Sequence, residues 1–251
     1  MLKFFRRLRR KLLDEGKMRR YLIYAIGEIL LVVIGILIAL QINNWNSNRL
    51  NGIAEYTYLT RLSEDIKKDT INFSWIARTA KSKQEMLERI LNYINSNSHK
   101  TLDTVSLFGD IANSQALSWT QPDIYTGTIE ELKSSGNFNL IKNTDLRMKI
   151  TEYYFEAKNT DERIEKRRMS PNYGSEIQRI FPDLTIKNEQ VSYKENLVSK
   201  EEILAYLKNP EFKKLIIAEY NLMGFLHLHQ SRRLEHSKKI LADVVKEMEE
   251  R

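Results

Sequence analysis

The chain of 251 residues contains no cysteine. This absence excludes disulfide bonds and thiolate-bound metal ions. It does not assign a compartment, because a reduced cytosolic protein and a disulfide-free periplasmic protein share it.

The sequence also lacks the short motifs that mark common catalytic and nucleotide-binding sites. It has no G-x-S-x-G elbow, P-loop, Rossmann fingerprint, H-E-x-x-H motif or EF-hand loop. His229 and His236, seven residues apart, share a helix face and could bind a metal with Glu235, but Arg232 and Arg233 lie between them and would repel a cation. Ordinary polar helix positions are the simpler interpretation. We therefore expect a protein that is not an enzyme and that carries no cofactor.

Most of the chain lacks net charge. Of 40 basic and 33 acidic residues, nine basic and two acidic ones lie in residues 1–20, so the other 231 residues carry 31 of each sign. A nucleic-acid-binding surface needs a basic patch on the folded domain. Because the excess positive charge is confined to the N-terminus, we expect no nucleic-acid partner.

A long apolar run, YLIYAIGEILLVVIGILIALQI, occupies residues 21–42. At about 1.5 Å per residue, a helix of this length covers the ~30 Å hydrocarbon core of a bilayer. Tyr21 and Tyr24 at one end and Trp45 at the other suit the two membrane interfaces. The run is too long for the apolar core of a cleaved signal peptide. We therefore predict an uncleaved, single-pass signal anchor.

The basic N-terminus predicts the orientation of this anchor. Lysine and arginine beside a span are retained on the cytoplasmic side, so we expect residues 1–20 to form a cytoplasmic tail and the C-terminal domain to lie across the membrane. Apolar residues alternate with the charges, which favours an amphipathic helix on an anionic lipid surface, although a solvated basic tail remains the alternative. The predicted lipid-binding basic residues are Arg6, Arg7, Arg9, Arg10, Lys11, Arg19 and Arg20.

One face of the span combines a carboxylate with small residues. An ionisable group within a span usually faces a partner, a cavity or a proton path, and a small-xxx-small pair allows close helix contact. The face therefore predicts association with a second copy or with another membrane protein. Alternatively, the carboxylate reaches to the interface and the small residues are incidental. The residues of this face are Ala25, Glu28, Val32, Gly35, Ala39 and Ile42.

The remainder of the chain predicts an all-α fold. Residues 43–58 form a helical joint, and residues 59–251 form an extracytoplasmic helical bundle. Apolar spacing predicts long first and last helices, over 59–94 and from Pro210 to about 247, which pack antiparallel. Shorter helices are expected over 104–117 and 124–135, after Asn143, and over 176–181. A strand near residues 191–193 would be minor, and Ser199 with Glu202 predicts a capping box.

Three stretches carry a resemblance to a known family: FFRRLRRKLL, YLIYAIGEILLVVIGILIALQINNWN and ELKSSGNFNLIKNTDLRMKITEYY. The chain resembles an uncharacterised family of Bacteroidota proteins known only as a domain of unknown function. The resemblance implies a single-pass, N-terminally anchored envelope protein, and with it an anchor in the inner membrane and a periplasmic C-terminal domain. It implies no activity and therefore no catalytic residue.

These observations favour a membrane-anchored, non-enzymatic envelope protein that acts through protein–protein interaction. Two alternatives remain open. One is an ion-coupled accessory subunit that uses Glu28. The other is a ligand-sensing extracytoplasmic bundle, for which the sequence indicates no ligand class.

Overall fold

The computed structural model describes residues 18–96, 104–116, 124–167, 173–181, 185–187, 190–192 and 205–250. The fold is all-α, as predicted. The helices are α1 (Met18–Asn95), α2 (Thr104–Ala116), α3 (Gly127–Ser134), α4 (Thr144–Glu165), α5 (Tyr173–Ile180) and α6 (Pro210–Glu249). The strands β1 (Thr185–Lys187) and β2 (Gln190–Ser192) pair antiparallel, so the strand content is minor, as expected. Residues 205–208 are also helical.

The chain divides into two compact units between Thr57 and Tyr58. Helix α1 is continuous through this boundary and through the predicted joint at residues 43–58. Within the first unit, α1 is long and apolar enough to cross a membrane. Its large apolar side chains from Leu22 to Ile42 are exposed in every direction, which is the pattern of a helix surrounded by lipid.

The second unit is a helical bundle in which α1 and α6 pack antiparallel. Three contacts show the pairing. Thr70 Oγ1 donates to Ser237 Oγ at 3.1 Å, Lys83 Nζ lies 2.6 Å from Glu219 Oε1, and Lys213 Nζ donates to Asn95 Oδ1 at 2.8 Å. The predicted long first and last helices are therefore confirmed as the principal helices of the bundle.

Two apolar clusters fill the bundle. The first core joins Leu59, Leu62, Ile66 and Phe73 of α1 to α3, α4 and the end of α6. The second core joins the stretch of α1 from Ala80 to Ile90 to α2, α5 and the start of α6. Between them along α6 lie buried polar side chains, so the bundle has two apolar cores and a polar layer. The buried polar residues of α6 in this layer are Gln230, Arg233 and Ser237.

Local signals are seen at three helix ends. The Asn143 side chain accepts a hydrogen bond from the Leu146 N–H at 3.1 Å and caps α4. Asn209 caps α6 in the same way, and Pro210 occupies the first turn. Gly136, after α3, has φ 71°, a conformation that glycine adopts without steric cost.

The predicted third helix begins later than expected. Residues 124–126 are not helical, and α3 starts at Gly127. The reason is a tertiary contact, because the Tyr125 N–H donates to Asp69 Oδ1 of α1 at 3.0 Å. The predicted capping box of Ser199 and Glu202 lies outside the described residues.

Candidate functional site

The predicted association face forms one stripe on α1. At 100° per residue, Ala25, Glu28, Val32, Gly35 and Ala39 lie within an arc of about 80°. Ala25 and Glu28 are half-buried, and the other three are exposed. A Cβ built on Gly35 would meet no atom within 4 Å. Within the first unit, the surface at Gly35 is therefore open to close approach by another helix.

Only some of the predicted interfacial and basic residues lie among the residues that the structure describes. Tyr24 is half-buried, whereas Trp45 has 65% of its surface exposed. Arg19 is exposed, and Arg20 and Tyr21 lie in α1. The other basic residues of the predicted lipid-binding group lie outside the described residues, namely Arg6, Arg7, Arg9, Arg10 and Lys11.

A buried carboxylate organises the first core. Asp69 accepts a hydrogen bond from the Tyr125 N–H at 3.0 Å and another from the Tyr153 hydroxyl at 2.8 Å. Burial raises the pKa of Asp69 to about 6, against the lowering effect of these two hydrogen bonds. Burial also raises the pKa of Tyr153 strongly, so its hydroxyl stays protonated and donates. Asp69 thus ties α1 to the start of α3 and to α4.

A buried ion pair occupies the second core. Lys83 and Glu219 lie 2.6 Å apart with 3% and 5% of their side chains exposed. The Lys83 ammonium also lies 4.7 Å from the centre of the Tyr173 ring. Burial lowers the pKa of Lys83, and Glu219 opposes this effect. Because a buried charge requires compensation, the pair links α1 to α6 specifically.

The histidines of α6 have different surroundings. His227 Nδ1 lies 2.9 Å from the Ala77 carbonyl oxygen, and His236 Nδ1 lies 3.1 Å from Glu156 Oε2. The pKa of His229 is lowered by burial and then by Arg163, Arg232, Arg167 and Arg233. Among the residues that the structure describes, no group of three His, Cys, Asp or Glu could hold a metal ion.

His229 and His236 line one cleft between α4 and α6. The cleft has a volume of about 440 Å³ and also includes Arg163 and Arg232. From the sequence, His229 and His236 are interpreted as ordinary polar positions, and the cleft is not apparent. The spacing of 229, 232, 233 and 236 places these residues near one side of α6, but the partner helix cannot be read from that spacing.

Comparison with known proteins adds one assignment. No curated protein and no solved structure matches the chain. A family model described as a family of unknown function, DUF6090, matches residues 28–208. This range starts within the apolar run and ends just before α6. The expectation of an uncharacterised family is thereby confirmed, and the chain belongs to the family of unknown function DUF6090.

Proposed function

We propose that this chain is a non-enzymatic envelope protein that is anchored in the inner membrane and acts through protein–protein interaction. The N-terminus is cytoplasmic and the bundle is periplasmic. The proposal of orientation rests on the basic residues that precede the span. The proposal of a non-enzymatic role rests on the absence of catalytic motifs from the sequence.

The observation that carries the interaction role is the stripe on α1. Helices in lipid associate through close packing and polar contacts, because lipid offers no hydrophobic driving force between them. Gly35 and Ala39 are one helical turn apart, and the space at Gly35 is open. A second span can therefore approach the backbone along this stripe.

Glu28 supplies the polar part of the same contact. A carboxyl group at this depth of a span is costly unless it is hydrogen-bonded or reaches water. Glu28 lies two helical turns before Gly35 on the same stripe. We assign it a hydrogen-bonding role across the helix contact, which requires no movement of protons.

The bundle also presents apolar surface that suits a protein partner. Ile71 and Trp75 lie one turn apart on the outward side of α1, with 62% and 49% of their surfaces exposed. Tryptophan is enriched among residues that dominate protein–protein binding. This pair is a candidate contact for a second envelope protein.

The test is crosslinking of the full-length protein in native membranes, followed by affinity purification. Gly35→Leu with Ala39→Leu should reduce recovery of the dimer or of a discrete partner about tenfold, which corresponds to roughly 1.4 kcal/mol. The matched control is Gly27→Leu, because Gly27 has equally open surroundings but lies about 80° from Gly35 around the helix.

Equal recovery from the double variant and from Gly27→Leu would contradict the role of the stripe. If the wild-type protein is recovered without any partner, the span serves only as an anchor.

Glu28→Gln distinguishes the proposed hydrogen-bonding role of Glu28 from the ion-coupled alternative. The amide retains hydrogen bonding, so association should persist, whereas a proton-carrying function would be abolished.

A further inference from the structure

The cleft between α4 and α6 has an uneven distribution of charge. The register of the helices is set by two contacts across the cleft. Glu156 Oε2 lies 3.1 Å from His236 Nδ1, and Asp161 Oδ1 lies 2.8 Å from Arg233 Nη1. Because the helices are antiparallel, this register brings Arg163 of α4 to the level of His229 and Arg232 of α6.

The end of the cleft near Glu156 is balanced in charge. Glu152 and Glu156 line it together with His236. Arg233 is also compensated, because it pairs with Asp161 and donates to the Ala157 carbonyl oxygen. An anion gains little at this end.

The other end is cationic. Arg163 donates only within its own helix among the contacts described, to the Asn159 carbonyl oxygen at 3.3 Å and to Thr160 Oγ1 at 3.2 Å. Arg232 has no hydrogen bond or ion pair to the part of the chain that the structure describes. Both residues are exposed, and within the part of the chain that the structure describes no carboxylate forms an ion pair with either of them.

His229 lies at this end, close to four arginines. Its pKa is lowered first by burial and then by Arg163, Arg232, Arg167 and Arg233. The Phe225 ring packs 4.1 Å from the His229 ring, and Arg167 stacks over the same phenylalanine at 4.1 Å. The cations are therefore held near one another by aromatic packing and by the backbone of α4.

We propose that the end of the cleft formed by Arg163, His229 and Arg232 binds a dianionic oxyanion, either a phosphate monoester or a dicarboxylate, of a small soluble molecule. Two arginines match two negative charges, and guanidinium groups bind phosphate and carboxylate oxygens through paired hydrogen bonds. The imidazole adds a third donor. This binding site does not depend on the proposed association of the span. It adds a small-molecule ligand to the proposed function.

The binding test uses the full chain in phosphatidylcholine nanodiscs at constant ionic strength, with inorganic phosphate and succinate as separate probes. Calorimetry should show saturable binding of at least one probe. Arg163→Gln with Arg232→Gln should weaken binding at least about tenfold, because each substitution removes a positive charge and its charge-assisted hydrogen bonds to the ligand. Binding of one probe alone identifies the oxyanion class.

Arg78→Gln is the matched control. Arg78 Nε donates to the Ser74 carbonyl oxygen four residues earlier at 3.3 Å, the same local bond that Arg163 makes with Asn159. This substitution should change affinity less than twofold. An equal loss in Arg78→Gln and in the double variant would show nonspecific charge attraction and overturn the proposal, as would the absence of saturable binding.

A second readout locates the ligand. The chain has four histidines, so ¹³C-labelled imidazole signals can be assigned by single substitutions. A bound dianion offsets the field of Arg163, Arg167, Arg232 and Arg233 and should raise the pKa of His229. The imidazole signals of His227, which contacts the Ala77 carbonyl oxygen, should not change on addition of the probe. Equal shifts at His227 and His229 would contradict binding at this end of the cleft.

Discussion

Helix α1 has two stretches that differ in where their apolar side chains lie. In the first stretch these side chains are exposed, and in the second they are buried. Between Leu22 and Ile42 its apolar side chains point in every direction and are exposed, as at Leu31 with 72%. Between Leu59 and Ile90 apolar side chains form a stripe, and Leu62 is fully buried. A leucine therefore has a different role in each stretch. In the first it suits the helix to lipid, and in the second it stabilises a bundle through packing.

Charged residues differ between the stretches in the same way. The apolar run contains one carboxylate, Glu28, on its stripe of small residues. The bundle stretch buries Asp69 and Lys83, each with partners from helices far along the chain. In the bundle, a buried charge therefore serves the specific pairing of helices.

The largest expected effect is the removal of one partner of the buried pair. Glu219→Ala leaves Lys83 buried without its carboxylate, and we expect a loss of about 3–5 kcal/mol in the free energy of unfolding. Glu211→Ala is the control, because the exposed pair of Glu211 and Lys214 contributes about 0–1 kcal/mol. Urea titration of the full-length protein in nanodiscs, followed by tryptophan fluorescence, measures both. Equal losses would show that the pair does not stabilise the bundle.

Truncation of a leucine in each stretch tests the comparison directly. Leu62→Ala should lower the free energy of unfolding of the bundle by about 2–5 kcal/mol, because it creates a cavity in the first core. Leu31→Ala should lower it by less than about 0.5 kcal/mol, because the Leu31 side chain is exposed and substitutions at exposed positions usually change stability by no more than this. The same urea titration measures both variants. A comparable loss in Leu31→Ala would mean that the exposed stretch stabilises the bundle.

Asp69 is expected to have a smaller effect on stability, which depends on pH. Asp69 has a pKa raised from 3.8 to about 6 by burial, so the folded state disfavours its ionised form. Its contribution to stability is fully present below pH 3.8 and is lost as the pH rises through about 6. The shift of about two units corresponds to at most about 3 kcal/mol.

Asp69→Asn should remove this dependence, because the amide does not titrate. The wild-type melting temperature should fall between pH 4 and pH 7 relative to that of Asp69→Asn. Glu64→Gln, an exposed substitution on the same helix, should retain the wild-type profile. Identical profiles for wild type and Asp69→Asn would show that Asp69 titrates as an ordinary carboxyl group.

The predictable part of the fold consists of features encoded within short stretches of sequence. Apolar spacing predicted the helix over residues 59–94. Asn143 and Pro210 predicted helix starts because such signals act within one turn. Confirmed boundaries therefore depend on neighbouring residues only.

The antiparallel packing of α1 and α6 was predicted, but the contacts that particular side chains make between distant helices were not. The charged positions of α1 gave no sign that Asp69 and Lys83 are buried, since this depends on Tyr153 and Glu219, more than 80 residues away. The start of α3 was misplaced for the same reason, because Asp69 binds the Tyr125 N–H. The cationic end of the cleft likewise requires the register between α4 and α6.

Cysteine labelling tests most directly our proposal that residues 21–42 cross a membrane and separate the N-terminus from the bundle. Because the chain has no cysteine, single substitutions report accessibility without background labelling. Lys67→Cys should react with a membrane-impermeant maleimide added from the periplasmic side of intact inner membranes. Lys11→Cys should react only after the membrane is breached, and Leu31→Cys only after denaturation. Equal labelling of Leu31→Cys and Lys67→Cys would contradict the span, and labelling of Lys11→Cys before breach would contradict its orientation.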